Sequence, residues 1–249
     1  MSADAPELSI VLPAFDEELR IERSLRRLIE FADGRAGGIE LLVVDDGSRD
    51  ATAERVAAIG GERVRLLRLA ENRGKGAALR AGVAATRGAR VLLTDVDLST
   101  PITELARLEA ALADADIAIG SRALPDSRIT RRQPRWRELA GKTFNLAVRA
   151  LGVPGFRDTQ CGFKLLRGDA ARPLFAEMEI DRFAFDVELV WLAVRRGLRV
   201  VEVAVEWRDE SGSRVRLLRD GGRMLADVVR LRRRFARIDR AERRRGAAP

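Results

Sequence analysis

From residue 8 to about residue 119, short runs rich in Val, Ile and Leu alternate with longer stretches whose apolar residues recur at helical spacing. This alternation constrains the fold more than any other feature. The β-like runs cover residues 8–12, 39–44, 64–69, 91–94 and 117–119. Between them, residues 17–31 carry Ile21, Leu25, Leu28 and Ile29 on one helical face, and residues 103–112 carry Leu105, Leu108 and Leu112. Residues 50–59, with Asp50 as a cap, and 75–86, ended by Gly88, read as further helices. A β-α-β-α order predicts a mostly parallel sheet with helices on both faces.

Ligands bind such sheets beyond the carboxyl ends of the strands. Polar and Gly-bearing segments follow the β-like runs at 13–17, 45–48, 72–76, 95–97 and 120–122. Loop polarity alone does not explain so many carboxylates directly after β runs. Farther on, residues 127–136 read as an Arg- and Pro-bearing loop, 137–151 as a helix and 152–163 as a loop. A helix over 185–196 and a strand over 199–205 complete the body.

Composition limits the chemistry. The 249 residues include no His and a single Cys, Cys161. Histidine-based triads, imidazole bases and His-ligated zinc are excluded. A bound metal must be held by oxygen, which points to Mg²⁺ or Mn²⁺. Asp95 and Asp97, two residues apart after a strand, suit such a cation if the segment is extended, because their side chains then share one side. Asp45, Asp46, Gly47 and Ser48 combine acceptors for a nucleobase or ribose with helix-capping residues. Asn72, Arg73, Gly74, Lys75 and Gly76 place glycines and a cation at a helix start, which favours phosphate. The dinucleotide fingerprint fails there, because Leu79 stands at the third Gly position. Residues 158–164 gather acid, amide, thiol and ammonium; without a histidine to activate it, Cys161 reads as a packing residue.

The charge of +8 is local. Residues 214–245 hold 13 Arg against Asp220, Asp227, Asp239 and Glu242, a net of +9, while the remainder holds 33 basic and 34 acidic residues. Within that region Met224, Val228, Leu231, Phe235 and Ile238 form an apolar helical stripe, with Arg232, Arg233 and Arg234 among the surrounding cations. Such a helix either lies on an anionic membrane surface or packs its stripe on the protein's own core. Nucleic acid is not the expected partner, since Phe235 is the one aromatic available for stacking. The domain reading is an α/β body over 1–212 and a basic amphipathic helical tail over 213–249. No apolar run approaches membrane-spanning length, and the start lacks a cationic segment followed by an apolar one. A cytoplasmic protein, peripheral at the cytosolic membrane face, is expected; oligomeric state is not legible.

The motifs LSIVLPAFDEE, VVDDGSRDAT, NRGKGAALRAG, TDVDLSTP, IGSR, DTQCGFK, FDVELVW and GSRV occur in this order. Together they resemble family 2 glycosyltransferases, most closely the dolichyl- or polyprenyl-phosphate sugar synthases of glucosyl type. The resemblance implies a GT-A, Rossmann-like fold and inverting transfer from a nucleotide sugar to a lipid phosphate. It implies Pro13, Ala14, Asp16, Glu17, Asp46 and Lys75 at the donor, and Asp95 and Asp97 at sugar nucleotide and metal. It also implies Arg122, Arg132 and Lys164 at the acceptor phosphate. The family's usual Tyr-Asn pair is Phe15-Asp16 here. UDP-glucose is the expected donor. GDP-mannose, or a soluble or protein acceptor, is the alternative, and a non-catalytic nucleotide- or RNA-binding module is the alternative of another class. A lipid phosphate is ionised near neutral pH and needs no base, in keeping with the missing His; an alcohol acceptor would need one, with Asp158 first in line and Asp186 and Glu188 behind it.

Overall fold

The computed structural model describes residues 5–131, 141, 145, 146, 148, 150, 155–210 and 217–246. The elements, in order, are β1 (Leu8–Ala14), α1 (Ile21–Asp33), β2 (Ile39–Asp45), α2 (Thr52–Gly60), β3 (Val64–Arg68), α3 (Lys75–Ala85) and β4 (Arg90–Leu93). Then come α4 (Leu105–Leu112), β5 (Ile117–Ser121), β6 (Arg128–Arg131), β7 (Lys164–Arg167), α5 (Gly168–Glu177), α6 (Phe185–Arg195), β8 (Val200–Ala204), β9 (Glu206–Arg208) and α7 (Leu217–Gly246). The seven-stranded sheet has the order β3-β2-β1-β4-β7-β5-β8. Strands β6 and β9 pair separately, in parallel. The expected strands and helices of the first half are present with ends shifted by a few residues. The helix expected over 137–151 falls largely outside the described residues.

The sheet is parallel except for β7, which runs antiparallel between β4 and β5. That reversal matters for the site. Lys164, the first residue of β7, pairs with Leu93 at the end of β4 and with Ile119 in β5. The segment leading into β7 is thereby delivered to the carboxyl rim of its parallel neighbours. Strands β6, β7 and β9 and helix α5 are absent from the sequence expectation, which read 127–136 as a loop. Only four residues form β7, too few for a periodicity, and Pro173 lies inside α5.

Side-chain alternation along β1 divides the interior into two cores. Leu8, Ile10 and Leu12 face α1, α2 and α4, whereas Val11 faces α3, α5 and α6. Burial on both faces explains why the strands read as continuous apolar runs. Helix α7 joins the second of these cores: Met224, Val228, Leu231 and Phe235 are buried, and Phe235 meets Trp191 of α6 with ring centroids 4.8 Å apart. Of the two readings of the apolar stripe, packing on the protein's own core is the one observed for these four residues. Burial of each large side chain contributes roughly 1.5–3 kcal/mol, so the stripe anchors the helix and leaves its arginine-bearing faces outward.

Candidate active site

Four strand ends and the entry to β7 converge at the carboxyl rim. Asp95 and Asp97 follow β4, but in a turn and not an extended segment: Leu98 N donates to Asp95 O at 3.1 Å, and Leu98 has φ 48°. The Asp95 carboxylate meets the Lys75 ammonium at 2.6 Å. Asp97 accepts from Ser99 N at 2.9 Å. Burial opposes the charge on both carboxyls. At Asp95 the Lys75 charge outweighs it and holds the pKa below the usual carboxylate range. At Asp97 burial, with Asp95 adding repulsion, pushes the pKa up. Lys75 itself is raised: burial works against its charge, but Asp95 and Asp186 more than offset it.

Gly162 closes this corner. An ideal Cβ there would lie 2.7 Å from Asp95 Cγ and closer still to its Oδ2, so only glycine lets the backbone approach the carboxylate this closely. Two neighbouring hard-oxygen donors, Asp95 and Asp97, would suit a divalent cation. No larger cluster of acidic or thiol ligands occurs among the described residues.

On the other side stand Arg122, after β5, and the entry to β7. Asp158 grips the Arg122 guanidinium twice, Nε to Oδ2 at 2.7 Å and Nη2 to Oδ1 at 2.9 Å, and also accepts from Arg122 N at 3.0 Å. Although burial opposes it, this pairing lowers the Asp158 pKa to about 2 and raises that of Arg122. A carboxylate so engaged and so weakly basic suits an anchor for Arg122, not the proton acceptor considered for an alcohol substrate. Glu202 of β8 accepts from Arg157 N and Asp158 N, both at 2.8 Å, and fixes the anchor in turn. Trp207 lies beneath Arg122, the guanidinium carbon 5.6 Å from a ring centroid.

Lys164 is buried, pairs with Asp186 and donates to Cys161 O. Burial pushes the Asp186 carboxyl up even with Lys164 against it. The Phe185 ring is near both lysines, its centroid 5.7 Å from the Lys75 ammonium and 6.0 Å from that of Lys164. Cys161 is buried and its thiol pKa raised by that burial, in keeping with packing. Arg132 lies outside the described residues.

The residues expected at the donor, at and just after the ends of β1 and β2, mostly organise backbone. Pro13 and Ala14 end β1, and Asp46 N donates to Ala14 O at 2.8 Å. Asp16, at φ 51°, accepts from Arg49 N at 2.8 Å, and Ser48 Oγ accepts from Asp16 N at 2.9 Å. Glu17 pairs with Arg20, both contacts at 2.7 Å. Asp46 accepts from Arg73 N and Gly74 N at 2.8 Å and from the Asn72 amide at 2.9 Å; burial pushes its pKa up. Two amides just before α3, those of Arg73 and Gly74, are thus occupied by a carboxylate and not open to a phosphate, while Arg73 and Lys75 are the cations of that loop. Sequence reasoning missed Arg20, which carries charge next to Asp97, and also Glu202, Trp207 and Phe185.

The glycosyl transferase family 2 profile matches residues 9–175. The dolichyl-phosphate beta-glucosyltransferase of Drosophila melanogaster is 39% identical over 230 residues, covering 85% of this chain and 71% of that protein. That of Dictyostelium discoideum is 35% identical over 243 residues, covering 92% and 74%. Among solved structures, glucosyl-3-phosphoglycerate synthase from Mycobacterium tuberculosis with Mn²⁺ and UDP-glucose is similar at 26% identity and a TM-score of 0.63, covering 91% of this chain and 77% of that one. Its complex with Mn²⁺, UDP and glucosyl-3-phosphoglycerate gives 25% and 0.65, covering 91% and 78%.

Proposed function

This chain belongs to glycosyl transferase family 2, and from that premise we propose that it transfers glucose from UDP-glucose to a polyprenyl or dolichyl phosphate, with inversion. The observation that carries the reading is the meeting at one rim of a carboxylate pair with three basic side chains, each held by a carboxylate. Carboxylates Asp95 and Asp97 lie beside Lys75, and the anchored cation Arg122 stands across from them with Lys164 below. The similarity to dolichyl-phosphate beta-glucosyltransferases supports the glucosyl transfer and the lipid phosphate.

In this reading a non-bridging oxygen of the acceptor phosphate attacks the anomeric carbon. The bond from that carbon to the diphosphate oxygen breaks, and UDP departs. The acceptor has a second pKa near ~6 and arrives largely ionised, so no base is required. Arg122, held by Asp158, and Arg132 and Lys164 bind and orient the acceptor phosphate; Lys164 must exchange its partner Asp186 to do so. Pro13, Ala14, Asp16, Glu17 and Asp46 shape the nucleoside pocket, Asp16 and Asp46 through the backbone they hold. Asp95 and Asp97 would hold Mg²⁺ or Mn²⁺, which when bound offsets charge developing on the leaving diphosphate. The structures with Mn²⁺ and UDP-glucose support a divalent metal without choosing between the two.

No helix among the described residues is long and apolar enough to cross a membrane. We place the enzyme peripherally, at the cytosolic face, with Arg232 and Arg233 of α7 against anionic lipid. The competing reading is a soluble phosphorylated acceptor, favoured by the likeness to glucosyl-3-phosphoglycerate synthase. The test supplies UDP-glucose and GDP-mannose in parallel, with Mn²⁺ or Mg²⁺, to polyprenyl phosphate and to 3-phosphoglycerate. Glucosyl lipid from UDP-glucose is the expected product. A product on phosphoglycerate alone, or none from any donor, overturns the reading.

A further inference from the structure

Glu188 on α6 is fully buried and has no part in the transfer chemistry. Its carboxylate accepts from Glu179 N at 3.0 and 3.1 Å and from Ile180 N at 2.8 Å. Its fourth contact comes from another element: Arg234 of α7 donates to it at 3.0 Å, and the same guanidinium meets Glu179 Oε1 at 2.9 Å. A buried carboxylate saturated in this way fixes the backbone it holds.

That backbone, residues 179–182, presses on the start of α3. Asp181 O accepts from Ala77 N at 3.0 Å, Arg80 donates to Met178 O at 3.1 Å, and Arg80 also pairs with the Asp181 carboxylate. The contact is backbone against backbone. An ideal Cβ on Gly74, which has φ 111°, would lie 2.5 Å from Asp181 O, and one on Gly76 would lie 2.9 Å from Phe185 Cβ. Lys75 stands between these glycines, and its ammonium reaches Asp95. An unbroken series of contacts therefore runs from α7 through Glu188 and residues 179–181 to the lysine beside the paired carboxylates.

We propose that Glu188 and Arg234 are positioning residues for the nucleotide-sugar site: they clamp residues 179–182 against the start of α3 and so set where Lys75 meets Asp95. The proposal rests on the reading of Lys75 and Asp95 as donor-side groups. It makes the C-terminal helix part of the frame of the active site, in addition to any role at a membrane.

The test measures UDP-glucose affinity with Mn²⁺ by calorimetry and, separately, KM for donor and for polyprenyl phosphate. It uses wild type, Arg234→Gln, Arg234→Lys, Glu188→Gln and, as a control, Arg63→Gln, which breaks an exposed ion pair with Asp33 at 2.6 Å. Arg234→Gln is expected to weaken donor binding about three- to tenfold with the KM for polyprenyl phosphate unchanged. Arg234→Lys recovers most of the loss, Glu188→Gln equals or exceeds it, and Arg63→Gln matches wild type. If Glu188→Gln does not fold, the partly exposed Arg234 still decides the matter. Unchanged donor affinity in Arg234→Gln overturns the proposal. So does a rise of both KM values in step with falling Tm, which marks general loosening. A wild-type protein that binds no nucleotide sugar removes the donor-site reading first, and the clamp with it.

Discussion

Gly162→Ala tests whether the Asp95 corner is as tight as its geometry implies. Ordinary contact for a Cβ begins at 3.4 Å, whereas the added methyl would sit 2.7 Å from Asp95 Cγ and nearer still to Oδ2. The carboxylate must move aside by about 1 Å, and a displacement of that size at a reacting centre costs about a hundredfold in rate. Moving it also disturbs the 2.6 Å contact with Lys75. The fold should tolerate the change. Gly162 has no left-handed φ, the obstacle is the end of one side chain, and alanine gains about 0.4–1 kcal/mol by restricting the unfolded chain. The expected result is kcat/KM for UDP-glucose down about a hundredfold with Tm within a few degrees of wild type. Activity within about threefold of wild type at saturating Mn²⁺ would refute the claim that this carboxylate needs its present position.

The pair of Asp158 and Arg122 should show in acid. The Asp158 pKa falls from 3.8 to about 2 on folding, so its contribution is complete above pH 3.8 and is lost as pH drops through about 2. Urea unfolding of wild type and Asp158→Asn should differ by roughly 2 kcal/mol at pH 6, with the gap closing below pH 4; a gap independent of pH would exclude the linkage. Replacing exposed Arg232 and Arg233 with Gln should weaken binding to phosphatidylglycerol vesicles by about fivefold per residue in low salt, and equal binding by both proteins would remove α7 from the membrane surface. Gly221 and Gly222 lie inside α7 with open space where a Cβ would be, so alanine at either should raise stability by about 0.5–1 kcal/mol in thermal melts. A fall in Tm would mean that the helix needs those glycines.

The first half of the fold is legible because β1, β2, β4 and β5 are largely buried apolar runs and α1 and α4 each show one apolar face. Strand β7 is not, since Lys164–Arg167 is short and its placement depends on gaps left by β4 and β5. The rim was legible as a location but less so as chemistry. Carboxylates after strands mark where a ligand binds, yet the sequence does not say whether an oxygen faces a ligand or a backbone amide. Asp46 and Asp16 take amides. Asp158 shows the same limit: its residue type allows a base, and only its neighbour Arg122 sets its basicity. The stripe on α7 announced a helix, but periodicity cannot name the surface that covers it. Glu202 and Trp207 escaped because each acts on a residue more than forty positions away.

The reversed central strand also governs the order in which the protein can be assembled. Until residues 164–167 leave the ribosome, β4 and β5 have no partner between them and the sheet has a gap at its middle. The nascent chain therefore carries the open edges of β4 and β5, a hazard for mispairing, through the synthesis of β6 and of the residues that follow it up to β7. Zipping β7 into that gap joins Leu93 to Lys164 across 71 positions and brings Asp95, Gly162 and Arg122 to one rim in the same event. The Arg122 side of the rim is then among the last parts of the sheet to form, and long-range closure of this kind sets the pace of folding.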